Sequence, residues 1–325
     1  MADMAPKVSV IVAVYKVEDY IERCLHSLFG QTLDSIEYIF VDDASPDDSI
    51  KVLKRVLEEY PHRKEQVKII RHSENQGVAL ARTSGILTAT GEYMIHCDPD
   101  DYIELDMYEA MYNEALIENT DIIFCDYIKH KNDVNSLISM NFKDLSIDYL
   151  RKPLYNGYIS TLWNVLVRSE IIKKNNILPF PKGDVGEDLA LILRILFFSS
   201  TFKCIHTPFY HYCIREDSIA SGTNAMDKLR KFHINIEGLQ RFYGKHKLYK
   251  EYCDYLKLNI KLETRKAFKH KDKEWFNIYK EVSYKIWTIP REPIKTRILW
   301  SILLSNFTIY KFGCKFFKLI TGREL

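Results

Sequence analysis

The sequence predicts a doubly wound α/β domain on a mostly parallel sheet, followed by a helical appendage. Three observations predict it. Apolar, largely β-branched runs recur at Val8–Val14, Ile36–Asp43, Val67–Ile70 and Glu92–Cys97. Stretches with apolar residues at helical spacing separate them, and acidic clusters stand where two of the runs end. Strands and helices in short alternation build a parallel sheet with helices on both faces, and such sheets gather their ligands at the carboxyl ends of the strands.

VSVIVAV is apolar at nearly every position, which is the pattern of a strand covered on both faces. Ile21, Cys24, Leu25, Leu28 and Phe29 then recur with helical period, with Glu18 and Asp19 at the expected start and Gly30 where a helix should stop. IEYIFVDD reads as the second strand. After it, Ser45-Pro46-Asp47-Asp48 predicts an N-cap, a proline at the first helical position and an acidic first turn. Ile50, Leu53, Val56 and Leu57 give the buried stripe of that helix, which Pro61 should end. VKII is the third strand, Val78–Thr88 a helix rich in small residues, and EYMIHC the fourth strand. A helix over about Leu105–Ile117 and a strand over Asp121–Cys125 follow. The stretch 127–156 has no clear pattern. Leu189–Phe198 is an apolar helix that opens directly after Gly186-Glu187-Asp188.

Beyond about Thr223 valine and aspartate thin out and helical periodicity dominates. The expected division is therefore a catalytic domain over 1–222, with a nucleotide-binding half over about 1–101 and an acceptor half over about 102–222, and a helical region over 223–325. At 325 residues, 46% hydrophobic and 28% charged, the chain can bury a large core, which excludes a disordered chain. A formal charge of +2 gives no overall drive toward nucleic acid, so no nucleic-acid partner is expected. The seven cysteines are scattered without paired spacing and read as buried thiols of a reducing compartment. Met1–Lys7 lacks the basic and apolar regions of a secretory signal, so a cytoplasmic location is expected. The last stretch alternates apolar and aromatic residues with Lys311, Lys315, Lys318 and Arg323. It fits a segment lying on the cytoplasmic face of a membrane and equally a helix packed on the rest of the protein.

Three acidic clusters carry the chemistry. His96-Cys97-Asp98-Pro99-Asp100-Asp101 crowds carboxylates at a strand end, where they repel unless a cation compensates, and hard oxygen donors suit Mn²⁺ or Mg²⁺. Alone, such a string is also a solvated acidic turn. Asp42 and Asp43 end the second strand on the same edge, where a carboxylate can accept hydrogen bonds from a nucleoside, or merely compensate a helix start. Gly183-Asp184-Val185-Gly186-Glu187-Asp188 opens a helix with two acids. These are either helix-start residues or a general base for an acceptor hydroxyl.

Taken in order, VSVIVAVYKVEDYIERCLHSLFGQT, FVDDASPDDS, NQGVALARTSGI, GEYMIHCDPDD and GEDLALILRIL resemble the motif series of the family 2 inverting glycosyltransferases with the GT-A fold, from about Lys7 to Ser221. The resemblance implies transfer of a hexose or N-acetylhexosamine from a nucleotide-diphosphate donor, expected to be a UDP-sugar. The acceptor would be a hydroxyl of a glycan or lipid-linked molecule in polysaccharide biosynthesis. It implies Val14 in the nucleotide site, Tyr15 stacked on the base, Asp42 and Asp43 on the nucleoside, and Arg82 near the donor. Asp98 and Asp100 become a DxD pair holding ribose and a metal–diphosphate, with Mn²⁺ or Mg²⁺ as cofactor. Asp188 becomes the base with Glu187 beside it. Trp163, Asn164 and Asp101 fall at the sugar and acceptor pocket, and YHYCIREDS (Tyr210–Ser218) resembles a loop over the diphosphate, with Arg215 a phosphate partner. His211 there is either a metal ligand or structural. The sequence departs from the pattern at Thr83, where Asn often follows Arg, and at Cys213, where a basic residue is common. A catalytically inactive nucleotide-sugar-binding scaffold on the same fold is the alternative reading.

Overall fold

The structure, a computed structural model, describes residues 5–132, 134–140, 142, 146–147, 160–215, 225–246, 250–265, 272–283 and 294–313. The chain divides into two compact units at about residues 222/223.

In the first unit β1 (Val8–Val14), α1 (Ile21–Phe29), β2 (Ile36–Asp42), α2 (Ser49–Glu58), β3 (Val67–Arg71), α3 (Val78–Thr88) and β4 (Tyr93–His96) alternate as the periodicity requires. The remainder comprises β5 (Tyr102–Ile103), α4 (Met107–Ile117), β6 (Ile122–Lys131), β7 (Val134–Ile138), β8 (Val165–Arg168), α5 (Ser169–Lys174), α6 (Glu187–Phe198) and β9 (Phe202–Cys213). One sheet runs β3-β2-β1-β4-β8-β6-β9-β5, with β7 paired to β6. Its first four strands are mutually parallel. Beyond them β8 lies antiparallel to both β4 and β6, whereas β9 runs parallel to β6 with a bulge around Asp126.

Alternate residues of β1 go to opposite faces, as a strand's period of two demands. Val8, Val10, Val12 and Val14 join Cys24, Leu25, Leu28 and Met107 from α1 and α4 in one core, and Ile11 joins Ala81, Ile86, Leu191 and Ile195 from α3 and α6 in the other. Burying each such aliphatic side chain is worth about 1.5–3 kcal/mol, so a double-faced core fixes β1 inside the parallel part of the sheet, between β2 and β4. α3 approaches β1 closely at Gly85, where an added Cβ would fall 2.3 Å from the Ile11 Cγ2.

The start of α2 differs from the expectation that Ser45 caps it and Pro46 opens it. The helix begins at Ser49, because Asp47 receives the Ser49 N–H at 3.3 Å along with the hydroxyls of Ser45 and Ser49. The loop before it is drawn onto the β1 loop instead, with Glu18 N–H donating to Asp47 Oδ2 at 3.0 Å. Pro61 opens a 3₁₀ turn, Pro61–Gln66, that the sequence did not announce. Its buried Arg63 satisfies carbonyls at the end of α1 and after it, including Phe29 O and Leu33 O at 3.1 Å each. The unpatterned stretch after Tyr127 supplies the rest of β6 and β7; its remainder lies largely outside the described residues. The six described cysteines are free thiols, four of them buried.

The second unit contains α7 (Ala225–Lys245), α8 (Lys250–Glu263), α9 (Asp272–Asn277) and α10 (Ile294–Ser305). Leu258, Trp275, Phe276, Leu303, Leu304 and Tyr310 form its own core. Lys261 is wholly buried there, donating to Phe276 O and Ser283 Oγ at 2.9 and 3.0 Å beside the Trp275 ring. Burial pulls its pKa down to about 8. Among the described residues no helix is long and apolar enough to cross a membrane. Residues 216–218 of the expected diphosphate loop and the basic tail over 315–323 lie outside the described residues.

Candidate active site

The carboxyl ends of β1, β2 and β4 lie side by side, as β1 separates β2 from β4. Lys16 and Ala44, both in the left-handed region at φ 54° and 55°, turn the chain sharply after β1 and β2. The two loops are stitched together by Asp43 N–H to Val14 O (3.0 Å), Lys16 N–H to Ser45 Oγ (2.8 Å) and Val17 N–H to Ser49 Oγ (3.1 Å). Tyr15 stands at this edge with the Lys16 ammonium 5.4 Å from its ring centre, while Val14 is buried beneath. Asp42 is buried, accepting from Ser45 N–H at 2.8 Å and pairing with Arg71 Nε at 3.2 Å. Asp43, also buried, accepts from the N–H groups of Gln76 and Gly77 at 2.9 and 2.8 Å and meets His72 Nδ1 at 2.7 Å. A carboxylate has about four acceptor positions, so neither group is exhausted.

One guanidinium gathers the rest. Arg82, on the second turn of α3 and 4% exposed, donates from Nη1 to Glu187 Oε1 at 2.7 Å and to Asp188 Oδ1, and from Nη2 to Asp98 Oδ1 at 3.1 Å. The carboxyl end of β4 and the first turn of α6 are thereby joined through α3, with Arg82 reaching Asp188 across 106 residues. Burial opposes the charge on Arg82, but Glu187 and Asp98 outweigh it and its pKa is raised. Burial lifts the Glu187 pKa against the pull of Arg82. Burial, and then Arg82, hold His96 well below its usual range, so it is neutral.

Asp98, Asp100 and Asp101 divide the labour. Asp101 is buried and accepts from Tyr210 Oη–H and Cys213 N–H, both at 2.7 Å. Burial and its neighbours Asp100 and Asp98 raise its pKa well above the carboxylate range. Tyr210 stacks on Trp163 at 4.1 Å, and Tyr212 on the same indole at 5.6 Å. Trp163 is therefore the floor of an aromatic block, and Asn164, fully buried, spends its amide on Thr161 and Cys125 O. Asp100 pairs with Arg215 Nε at 2.8 Å. Burial and the charge of Asp98, opposed by Arg215, bring its pKa up to about 6. Two carboxylates on one turn, Asp98 and Asp100, fit a hard divalent cation, which is bound by one or two carboxylates and completed by phosphate and water oxygens. That chemistry does not need a larger protein cage. Among the described residues no set of three or more His, Cys, Asp or Glu forms one.

Both ring nitrogens of His211 are engaged by other side chains. Its ring nitrogens face Glu104 Oε1 at 2.8 Å and His130 Nε2 at 2.9 Å, and it stacks on Tyr102 at 4.1 Å. Sequence reasoning missed Arg23, which reads only as a polar position on α1. Its Nη2 donates to Asp100 O at 3.2 Å and lies 3.0 Å from Cys213 Sγ, placing a cation beside the position where the family pattern often has one. It also missed His72, whose partners Asp43 and Ser84 lie on other elements.

The model of glycosyl transferase family 2 matches residues 9–175. The chain is 38% identical over 222 residues to EpsH of Bacillus subtilis, a protein named as a glycosyltransferase; the match spans 66% of this chain and 62% of EpsH. In fold it is similar to S. aureus TarS 1–349 in complex with UDP-GlcNAc, with a TM-score of 0.63 at 18% identity over 98% of this chain and 92% of that one. It is also similar to the mannosyltransferase PcManGT of Pyrobaculum calidifontis in complex with GDP-Man and Mn²⁺, with a TM-score of 0.55 at 16% identity over 99% and 89% of the chains.

Proposed function

The chain belongs to glycosyl transferase family 2, and on that premise we propose that it transfers a hexose or N-acetylhexosamine, with inversion, from a UDP-sugar to a hydroxyl of a glycan or lipid-linked acceptor in polysaccharide biosynthesis. The observation that carries the reading is the Arg82 guanidinium, which gathers Asp98 from the DxD turn and Glu187 and Asp188 from the start of α6 into one cluster. A donor-side acid and an acceptor-side acid on one cation lie close enough to serve one reaction.

We assign the chemistry to 1–222. Val14, Tyr15, Asp42 and Asp43 form the nucleoside end, and Arg82 and Arg215 flank the diphosphate. A divalent cation, Mn²⁺ or Mg²⁺, held by Asp98 and Asp100 would neutralise the charge on the departing diphosphate. Asp188 takes the proton from the acceptor hydroxyl as its oxygen bonds to the anomeric carbon, and the bond from that carbon to the diphosphate oxygen breaks, releasing UDP. Displacement from the opposite face inverts the centre. Glu187, half the acid pair on Arg82, holds that guanidinium in place. Trp163, Asn164 and Asp101 form the rigid layer on which the sugar and acceptor pocket rests. PcManGT's Mn²⁺ and TarS's UDP-GlcNAc support the choice of metal and nucleotide.

A cytoplasmic enzyme resting on the inner membrane fits the second unit. Ile298 and Ile302, four apart on α10, and Ile309 and Phe312 beyond it are exposed, Phe312 to 70%, with Lys311 beside them. Apolar and basic groups together suit an anionic lipid surface.

The test is UDP release from UDP-glucose, UDP-galactose and UDP-GlcNAc, with Mn²⁺ or with EDTA. Metal-dependent release is expected from at least one donor. Asp188→Asn should abolish it while UDP still binds by calorimetry; release from no donor would favour the inactive scaffold.

A further inference from the structure

Among the described residues, the segment that delivers Glu187 and Asp188 meets α3 at two named points, and one of them is Arg82. The other is Asp184. Its Oδ1 accepts the Ala79 N–H at 3.2 Å, satisfying one of the N–H groups that a helix start leaves without a partner. α3 has no cap of its own there, since its N-cap is Gly77. Gly77 is held at φ 90°, and a Cβ on it would fall 2.4 Å from Asp184 Oδ1. The backbone conformation therefore requires glycine at that position, and a side chain there would push the carboxylate off its place. The same N–H of Gly77, with that of Gln76, is held by Asp43.

α6 needs this second anchor. It starts at Gly186, left-handed at φ 77° and without a side-chain cap, and the loop before it passes through a second left-handed residue, Lys182 at φ 65°. Asp184 sits between these two turns and ties that loop to the start of α3. Ala79 and Arg82 are three apart and so lie on one side of α3; Asp184 and Asp188 meet them in the same order.

We propose that Asp184 is a positioning residue for the transfer step: by capping α3 against Gly77 it sets where Asp188 stands. The proposal rests on the reading of Asp188 as the base. It also ties the base loop to the segment that Asp43 grips at the nucleoside end.

The test compares Asp184→Ala, Asp184→Asn and Asp188→Asn in the full chain, using the UDP-sugar of the panel above that releases UDP fastest, with water as acceptor. Asp184→Ala should lower kcat about tenfold to a hundredfold, as an ångström of misplacement does. KM for the donor and UDP–Mn²⁺ affinity should stay within about threefold. Asp184→Asn keeps an oxygen for the Ala79 N–H and should recover most of kcat. Amide exchange over 183–190 should quicken in Asp184→Ala alone. In a double-mutant cycle, Gly77→Ala should cost less when Asp184 is already alanine, because the carboxylate its Cβ would strike is gone. Unchanged kcat and exchange in Asp184→Ala, equal losses of kcat and UDP affinity, or an Asn variant as slow as Ala would each overturn the proposal. Full activity in Asp188→Asn would instead sink the base assignment, whatever Asp184 does.

Discussion

Arg82→Met removes a buried charge while keeping most of the side chain's bulk. Three carboxylates, Asp98, Glu187 and Asp188, then face one another without their shared cation. Removing one partner of a buried ion pair costs about 3–5 kcal/mol, and a loss of that order is expected at pH 8 by urea unfolding. The cost has a sign with pH. Burial already raises Glu187 above its ordinary 4.5, and Arg82 is what pulls it back. Without Arg82 it rises further, so the folded variant holds a proton that the unfolded chain has released. Stability lost through such a group grows as pH climbs from the unfolded pKa through the folded one. The gap between wild type and Arg82→Met should therefore be narrow near pH 5 and wide near pH 8. Turnover should fall by about 10²–10⁴, the worth of a positioned base. A gap under about 1 kcal/mol at pH 8, or one that is flat between pH 5 and 8, would refute the claim that Arg82 holds these acids together electrostatically.

Asp100→Asn should weaken Mn²⁺-dependent UDP binding at least tenfold by calorimetry and leave metal-free binding near wild type; equal binding with and without metal in both proteins would remove Asp100 from the cation. Lys261 offers a second pH test. Its drop from the ordinary 10.5 to about 8 is worth about 3 kcal/mol, a penalty present below pH 8 and relieved as pH rises toward 10.5. Wild type should gain about that much stability relative to Lys261→Met over this window, and parallel pH profiles would show that the amine is not held charged in an apolar place. Removing everything after Pro293 should release the protein from vesicles of anionic lipid in a sedimentation assay, and unchanged partitioning would leave Ile302 and Phe312 without a lipid role.

The chain's own pattern determined the parallel part of the sheet. β1, β2, β3, β4 and α3 lie where the runs of Val and Ile and the helical spacing put them, because apolar periodicity is a local property that burial on two faces of a sheet enforces. It also placed the acids at the ends of β2 and β4 and the start of α6. It did not reveal β8 or β9: VLVR is too short to distinguish from a helix edge, and FKCIHTPFYHYC mixes polar and apolar residues along a strand that is only partly buried and whose pairing bulges at Asp126. Nor did it show which acids meet. Arg82 and Asp188 are 106 residues apart, and Ala79 and Asp184 are 105. Contacts at that separation depend on the path of every loop between them and on side chains finding charge partners out of water, neither of which leaves a periodic trace. So the sequence decided which carboxylates stand at the carboxyl edge of the sheet, and the packing that brings α3, β4 and α6 together decided that they share one guanidinium.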